Sequence, residues 1–107
     1  MSEYPKLVRD RIPEIIKERE GRDSHVRVME GDEYLNFLLK KVEEEARELT
    51  QADSDLAMVE EMADLYEVID AILVAKGMPR EEVVKVQDAK RAKRGGFERR
   101  LLMLDND

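Results

Sequence analysis

Residues 41–73, KVEEEARELTQADSDLAMVEEMADLYEVIDAIL, place two stretches of helical apolar spacing on either side of a cluster of turn residues. The first stretch belongs to a predicted helix over about residues 33–51, with Asp32 as its cap. The second predicts a helix that ends at Lys76 and is preceded by a turn and cap at residues 53–55. Because the connection is short, we expect the two helices to pack antiparallel, as in helical bundles. Their facing apolar residues are predicted to form the core: Leu35, Leu38, Leu39, Val42, Ala46 and Leu49 on the first helix, and Met58, Met62, Leu65, Val68, Ile69, Ile72 and Leu73 on the second.

Shorter elements are predicted on both sides of this pair. A helix over residues 12–20 tolerates a proline in its first turn and ends at a glycine. A fourth predicted helix, over residues 80–93, has an acidic first turn and a basic last turn, the charge order that complements a helix dipole. Residues 25–29 alternate and indicate a short strand that contains His25, and residues 97–104 suit a second strand or a packed tail. The predicted fold class is therefore all-α, an antiparallel helical bundle with a minor β pair.

Composition limits the possible classes of protein. A chain of 107 residues with 42% apolar and 42% charged side chains, five glycines and three prolines favours one domain, residues 1–107, of long amphipathic helices. Such a small core leaves apolar helix surface to be covered by a second copy of the chain, so we expect a homo-oligomer. The chain contains no cysteine, which excludes disulfides, thiolate metal sites and cysteine nucleophiles and favours the cytoplasm. No apolar run is long enough for a membrane span or a secretory signal, so no membrane association is expected.

Charge is distributed unevenly along the chain. The net charge of −7 argues against nonspecific binding of nucleic acid, which depends on basic residues neutralising phosphates. Residues 43–70 contain eleven acidic side chains and one basic side chain, whereas residues 85–100 contain seven basic and two acidic ones. The middle of the chain therefore repels anions and the later segment attracts them.

Two pairs of carboxylates occupy the predicted central helices. Glu45 and Glu48 are three residues apart, as are Glu61 and Asp64, so the members of each pair leave the same helix face. In an antiparallel hairpin the two pairs lie at similar heights beside the core, where unpaired carboxylates are strongly disfavoured unless a cation neutralises them. Oxygen ligands without cysteine favour Mg²⁺, or Mn²⁺, over zinc. The alternative interpretation of the same residues is a solvated acidic surface.

The same stretch resembles a known family. KVEEEARE at residues 41–48, followed by EEMAD at residues 60–64, resembles the all-α nucleoside triphosphate pyrophosphohydrolase superfamily, the MazG-like group, whose hallmark is EExxE followed by ExxD. KLVRDRIPEII at residues 6–16 and KRGGF at residues 93–97 look like the small single-domain members described as house-cleaning or phosphoribosyl-ATP pyrophosphohydrolase-like proteins. The resemblance spans nearly the whole chain.

The resemblance implies a Mg²⁺-dependent hydrolase, a helical dimer or a pair of dimers, that cleaves a nucleotide substrate to a monophosphate and pyrophosphate. It implies that Glu44 orients or deprotonates the attacking water. The metal ligands that it implies are Glu45, Glu48, Glu61 and Asp64.

Basic residues near both ends are candidates for binding phosphates. Lys6, Arg9 and Arg11 lie in a segment with little reason to be basic for folding, and a guanidinium binds phosphate oxygens in pairs. The alternative is an ion pair between Arg9 and Asp10 that fixes the amino-terminal segment. Lys41 fits either a phosphate contact or an ion pair within its helix.

A second candidate group follows the last predicted helix. Arg94 and Phe97, on either side of two glycines, form a candidate loop in which the arginine holds a phosphate and the aromatic ring stacks on a base or packs on the core. Glycine after a basic last turn is also the ordinary end of a helix. 

Three functions remain open from the sequence. The first is hydrolysis of a nucleoside triphosphate, canonical or modified, and the second is the same chemistry on phosphoribosyl-ATP, a step of histidine biosynthesis. The third is a non-enzymatic helical protein whose acidic face binds a basic partner.

Overall fold

Four helices make up the regular structure of the computed structural model, which describes residues 4–105. They are α1 (Ile12–Glu20), α2 (Gly31–Thr50), α3 (Asp55–Lys76) and α4 (Arg80–Arg94). The two long helices, α2 and α3, pack against each other over much of their length, and no other pair of helices in this range packs extensively. The predicted all-α class with two long antiparallel central helices is confirmed.

The turn between α2 and α3 is held by a serine cap. The Ser54 side-chain oxygen accepts a hydrogen bond from the backbone N–H of Ala57 at 3.1 Å, which satisfies one unpaired donor in the first turn of α3. The other end of α3 stops at Gly77, whose φ of 65° lies in the left-handed region. Both features agree with the predicted turn and helix end.

The start of α2 differs from the prediction. The helix begins at Gly31, and Glu30 precedes it in an extended conformation without a side-chain cap. Asp32 lies inside the first turn, so its predicted role as the cap is wrong. Its negative charge still lies at the positive end of the helix dipole, which is favourable there.

The apolar core between the two long helices is small. Leu38 of α2, with 2% of its surface exposed, and Leu73 of α3 are the buried apolar residues among residues 4–105. Three further predicted core residues of α3 are half-buried: Leu65, Val68 and Ile72. Three others remain largely exposed in the single chain: Met58, Met62 and Ile69.

α3 carries a second apolar stripe on its exposed side. Val59, Met62, Tyr66 and Ile69 recur every three or four residues, the spacing of one helix face, and all four are exposed. A helix that is apolar around most of its circumference is usually buried on all sides. In one chain, α2 covers only one side of α3.

The predicted β pair is absent from residues 4–105. Residues 21–30 form an irregular connection in which Val28 is 88% exposed, and the residues after α4 form turns and bends. Arg100 adopts a left-handed φ of 56°, which interrupts any extended run there. An isolated two-stranded ribbon without a surface to pack on is marginal in water, and neither segment has such a surface in the single chain.

The helices outside the central pair give the chain an open shape. Its radius of gyration is 18.0 Å, whereas a compact domain of this length has about 13 Å. Every residue from Val74 to Asp105 is exposed, which includes all of α4. No helix within residues 4–105 is both long and apolar enough to cross a membrane.

Replacement of the cap tests the turn. Ser54→Ala is expected to lower the free energy of unfolding by about 1 kcal/mol, because a helix donor loses its partner. Urea unfolding followed by circular dichroism measures this change. Ser54→Asp retains an oxygen acceptor and is expected to keep most of the stability. Equal losses in the two variants would contradict a capping role.

Candidate metal centre

Five carboxylates from the central hairpin form two overlapping groups. The helix spacing of α2 brings together oxygens of Glu44, Glu45 and Glu48 within 4.8 Å of one another. A second group of oxygens, also within 4.8 Å, comes from Glu45 on α2 and from Glu61 and Asp64 on α3. Glu45 belongs to both groups and therefore lies at the centre of the cluster. The predicted convergence of the two carboxylate pairs is what the geometry shows.

The central carboxylate is buried without a partner. Glu45 is 7% exposed and is the only buried charged residue in the described range, 4–105. Its Oε2 atom has no hydrogen-bond partner, and the same is true of the buried Oε2 of Glu61. Leaving an ionised carboxylate buried and unpaired is strongly unfavourable, and a cation removes this penalty. These two orphaned oxygens are what distinguishes the cluster from an acidic helix face in water.

The surroundings shift the protonation of both inner carboxyls. Burial raises the pKa of Glu45 to about 7, and the charges of Glu48 and Asp64 add to the effect. Burial also raises the pKa of Glu61, with Glu48 as a further cause. Like charges around a desolvated carboxyl disfavour its ionised form, so the cluster holds protons when nothing else neutralises it. A divalent ion there would compete with those protons.

Two basic residues touch the outer members of the cluster. Arg9 Nη2 donates a hydrogen bond to Asp64 Oδ1 at 2.7 Å, and Lys41 Nζ lies 3.3 Å from both oxygens of Glu44. Five carboxylates against two cations leave three negative charges uncompensated if all are ionised. The basic contacts therefore stop at the edges of the cluster and do not reach the orphaned oxygens of Glu45 and Glu61.

These contacts bear on two alternatives that the sequence left open. Arg9 pairs with Asp64, 55 residues away, and the alternative pairing with its neighbour Asp10 does not form. Lys41 forms its ion pair with Glu44, three residues on, along the same helix. The Arg9 contact was missed from sequence because no local spacing connects the amino-terminal segment with α3.

The other predicted phosphate-binding residues lie outside the cluster. Lys6 Nζ sits 5.4 Å from the centre of the Tyr4 ring, and Arg11 donates a hydrogen bond to Glu14 at 2.8 Å. Arg94 is exposed at the end of α4, and Phe97 is 95% exposed in the segment that follows. No hydrogen bond or ion pair within residues 4–105 joins Arg94 to the carboxylates. One chain thus brings Arg9 and Lys41, but not the end of α4, to the candidate metal centre.

An ion pair closes the loop that contains the two glycines after α4. Arg91 and Glu98 form this ion pair from either side of the glycines. A Cβ atom at Gly96 would meet the ends of both side chains, which are exposed and can move aside at little cost. Gly95 has a positive φ of 83° and ends the helix. The segment is a closed loop, as well as the end of a helix.

The hairpin and its carboxylates correspond to a known class of protein. An all-α fold that carries EExxE and ExxD acidic motifs is what the resemblance to the MazG-like nucleoside triphosphate pyrophosphohydrolase superfamily implies. The family model described as phosphoribosyl-ATP pyrophosphohydrolase, which belongs to that superfamily, matches residues 6–91. This chain belongs to the phosphoribosyl-ATP pyrophosphohydrolase family. The match includes α1, the amino-terminal basic segment and the whole cluster, and it ends before Arg94 and Phe97.

Comparison with individual proteins adds one relative. An uncharacterized protein of Mycolicibacterium smegmatis is 46% identical over 55 residues, which is 51% of this chain and 55% of the relative. The match thus covers only about half the length of each protein. No solved structure matches the chain.

The raised pKa values predict how stability depends on pH. The folded metal-free protein retains carboxyl protons that the unfolded chain releases, so the free energy of unfolding is expected to fall from about pH 4.5 to about pH 7. Glu45→Gln cannot ionise and should reduce this fall. Urea unfolding of both proteins across that range measures the difference, in which the contributions of unrelated carboxyls cancel. Parallel pH profiles would show that Glu45 does not hold a proton there.

Proposed function

We propose that this protein hydrolyses a nucleoside triphosphate to a nucleoside monophosphate and pyrophosphate, with Mg²⁺ as its cofactor. The observation that carries the proposal is the buried, unpartnered carboxylate of Glu45 at the centre of five converging acidic residues. Membership of a family of pyrophosphohydrolases supports the reaction type. Mn²⁺ has the same preference for oxygen ligands and is the alternative ion.

Four of the five carboxylates are suited to hold the cation. Glu45, Glu48, Glu61 and Asp64 offer only oxygen ligands, and the orphaned atoms on Glu45 and Glu61 are the ones that most require a positive charge. Mg²⁺ held there would neutralise phosphate charge and lower the pKa of a water molecule. No other part of the hairpin combines so many carboxylates with so little compensating charge.

Glu44 is proposed to orient and deprotonate the attacking water. Its carboxylate belongs to the group of oxygens formed with Glu45 and Glu48 on α2. The side chain is half-buried and forms an ion pair with Lys41. A general base must lie within hydrogen-bond reach of the proton that it takes. The water oxygen would bond to the α-phosphorus while the bond from that phosphorus to the bridging oxygen breaks, so that the proton passes to Glu44 and pyrophosphate leaves.

Basic residues are proposed to bind the phosphates. Arg9 and Lys41 already contact two of the five carboxylates, Asp64 and Glu44. Lys6 and Arg11 flank Arg9 in the same segment and would add to this positive charge. Arg94 and Phe97 would act, on phosphate and base respectively, only if a neighbouring copy of the chain brought them to the site. The expected cytoplasmic location remains a prediction from the sequence.

The description of the family supports a second candidate substrate, phosphoribosyl-ATP. Phosphoribosyl-ATP carries the same α–β phosphoanhydride bond, and the matching family model is described by hydrolysis of that compound. Pyrophosphate release measured on a panel of nucleoside triphosphates, modified triphosphates and phosphoribosyl-ATP would distinguish the two. Turnover of phosphoribosyl-ATP alone would assign the protein to histidine biosynthesis and contradict the broader triphosphatase proposal.

Neutral replacements of the metal ligands test the site. Glu48→Gln and Glu61→Gln are each expected to lower pyrophosphate release at least a hundredfold and to abolish the rise in melting temperature caused by Mg²⁺, because a ligand that binds only the folded state stabilises it. Circular dichroism should show unchanged helix content.

The chain provides matched controls for this experiment. Glu43 and Glu60 are exposed neighbours on the same two helices and belong to neither carboxylate group. Glu43→Gln and Glu60→Gln should keep both activity and the Mg²⁺ effect. If Mg²⁺ does not shift the melting temperature of the unsubstituted protein, the acidic face instead fits a non-enzymatic role in binding a basic partner.

A homodimer, or a dimer of dimers, is part of the proposal. The exposed stripe of Val59, Met62, Tyr66 and Ile69 on α3 is apolar, continuous and unpartnered in one chain, as a helix interface between subunits would be. Covering it with the same stripe of a second copy would bury α3 on both sides. The same association would give the exposed apolar residues after α4 a surface to cover.

A charge on the stripe tests the association. Tyr66→Glu is expected to reduce the molar mass in solution to that of one chain, because a carboxylate cannot be buried in an apolar contact without a partner. Light scattering after size-exclusion chromatography measures the mass. Asn36→Asp adds a negative charge at an exposed position of α2 and should leave the mass unchanged. If Tyr66→Glu keeps the original molar mass, the subunit interface does not include this stripe.

A further inference from the structure

Arg9 binds one oxygen of a carboxylate that belongs to the proposed metal centre. Its guanidinium donates a 2.7 Å hydrogen bond to Asp64 Oδ1, and Asp64 belongs to the group of oxygens shared with Glu45 and Glu61. Arg9 and Asp64 are joined across 55 residues of sequence, so this contact is not a by-product of helix spacing. In the structure, the positive charge that compensates Asp64 is supplied by the protein itself.

The guanidinium is free to move while its backbone stays in place. The side chains of Arg9 and Asp64 are 60% and 40% exposed, so separating them unpacks no core. The Arg9 carbonyl oxygen accepts a hydrogen bond from the Ile12 backbone N–H at 3.1 Å, which ties the residue to the start of α1. A long side chain on a fixed backbone position can thus exchange one anionic partner for another nearby.

We propose that Arg9 is a positioning residue that exchanges partners: its guanidinium holds Asp64 in the free protein and transfers to a substrate phosphate when a divalent cation takes Asp64. The inference rests on the proposed function, because it assumes that cation and nucleotide bind at the cluster. A divalent cation and a guanidinium repel each other, so each weakens the binding of the other to the same carboxylate. Mg²⁺ takes several of its ligands from substrate phosphates, which places new anionic oxygens beside the displaced guanidinium.

The exchange predicts that loss of Arg9 changes metal affinity and nucleotide affinity in opposite directions. Without Arg9, the cation has no competitor at Asp64 and does not have to break an ion pair before it binds. The free energy of an exposed ion pair corresponds to a metal affinity about 1.5- to 5-fold tighter. Nucleotide affinity falls, because a charge-assisted hydrogen bond to phosphate is lost, which corresponds to roughly a ten- to hundredfold weakening. An arginine that merely fixed the amino-terminal segment would compete with the metal at Asp64 in the same way, but its loss would not weaken the binding of nucleotide.

Calorimetric titration of the Arg9→Gln protein measures both affinities. Mn²⁺ alone is titrated first, and then a triphosphate analogue with a methylene group between its α and β phosphates, which cannot be cleaved there, is titrated in the presence of Mn²⁺. The expected result is tighter Mn²⁺ binding together with weaker binding of the analogue. Arg9→Lys keeps the positive charge and should restore most of the competition with the metal.

Arg27 provides the matched control. Arg27 forms a comparable exposed ion pair with Glu33 at 2.6 Å, remote in sequence from the carboxylate pairs, so Arg27→Gln should change neither affinity. Binding of Mn²⁺ by the unsubstituted protein, but not by Glu61→Gln, supports the proposed function. If Arg9→Gln then binds Mn²⁺ no more tightly than the unsubstituted protein, the exchange is overturned and the proposed function stays intact. Absence of Mn²⁺ binding by the unsubstituted protein overturns the proposed function and the exchange with it.

Discussion

The buried carboxylate of Glu45 is the constraint on which the rest of the site depends. It lies on the inner side of α2, against α3, with one oxygen that no group of the described chain satisfies. A small apolar core cannot easily tolerate such a group, and the neighbouring acidic side chains make its ionisation still less favourable. The arrangement becomes favourable when a cation joins the carboxylates. The residues that weaken the metal-free fold are therefore the same residues that would bind the metal, which is the stability cost expected of a preorganised charged site.

The central hairpin could be predicted from the sequence because its determinants are local. Ser54 caps α3, Gly77 ends it, and the three-residue spacing of the acidic pairs fixes which side chains share a face. The short turn then leaves only an antiparallel arrangement, which brings Glu45 and Glu61 together. Each of these steps uses residues at most a few positions apart or the length of a single connection.

The parts that the sequence did not predict depend on contacts between distant residues. The Arg9 contact with Asp64 joins two elements that no repeat or spacing relates. The alternation at residues 25–29 predicts a strand, but alternation stabilises a strand only when a sheet and an apolar surface are present, and the single chain offers neither within the described residues. Likewise, the spacing of the apolar residues in α3 predicts one core face, although they surround the helix and α2 covers only one side.

The carboxylates of the cluster and most of the candidate substrate-binding residues come from different parts of the chain. All five carboxylates lie between residues 44 and 64, within a single helical hairpin, whereas most of the basic and aromatic candidates come from segments on either side of it. The hairpin alone thus supplies every carboxylate of the cluster, and Arg9 is the residue of the flanking segments that contacts one of them within residues 4–105. Under the proposed function, substrate choice in such an architecture would change by remodelling the chain's two outer parts around the Arg9 contact, while the carboxylates stay in one continuous stretch of about twenty residues.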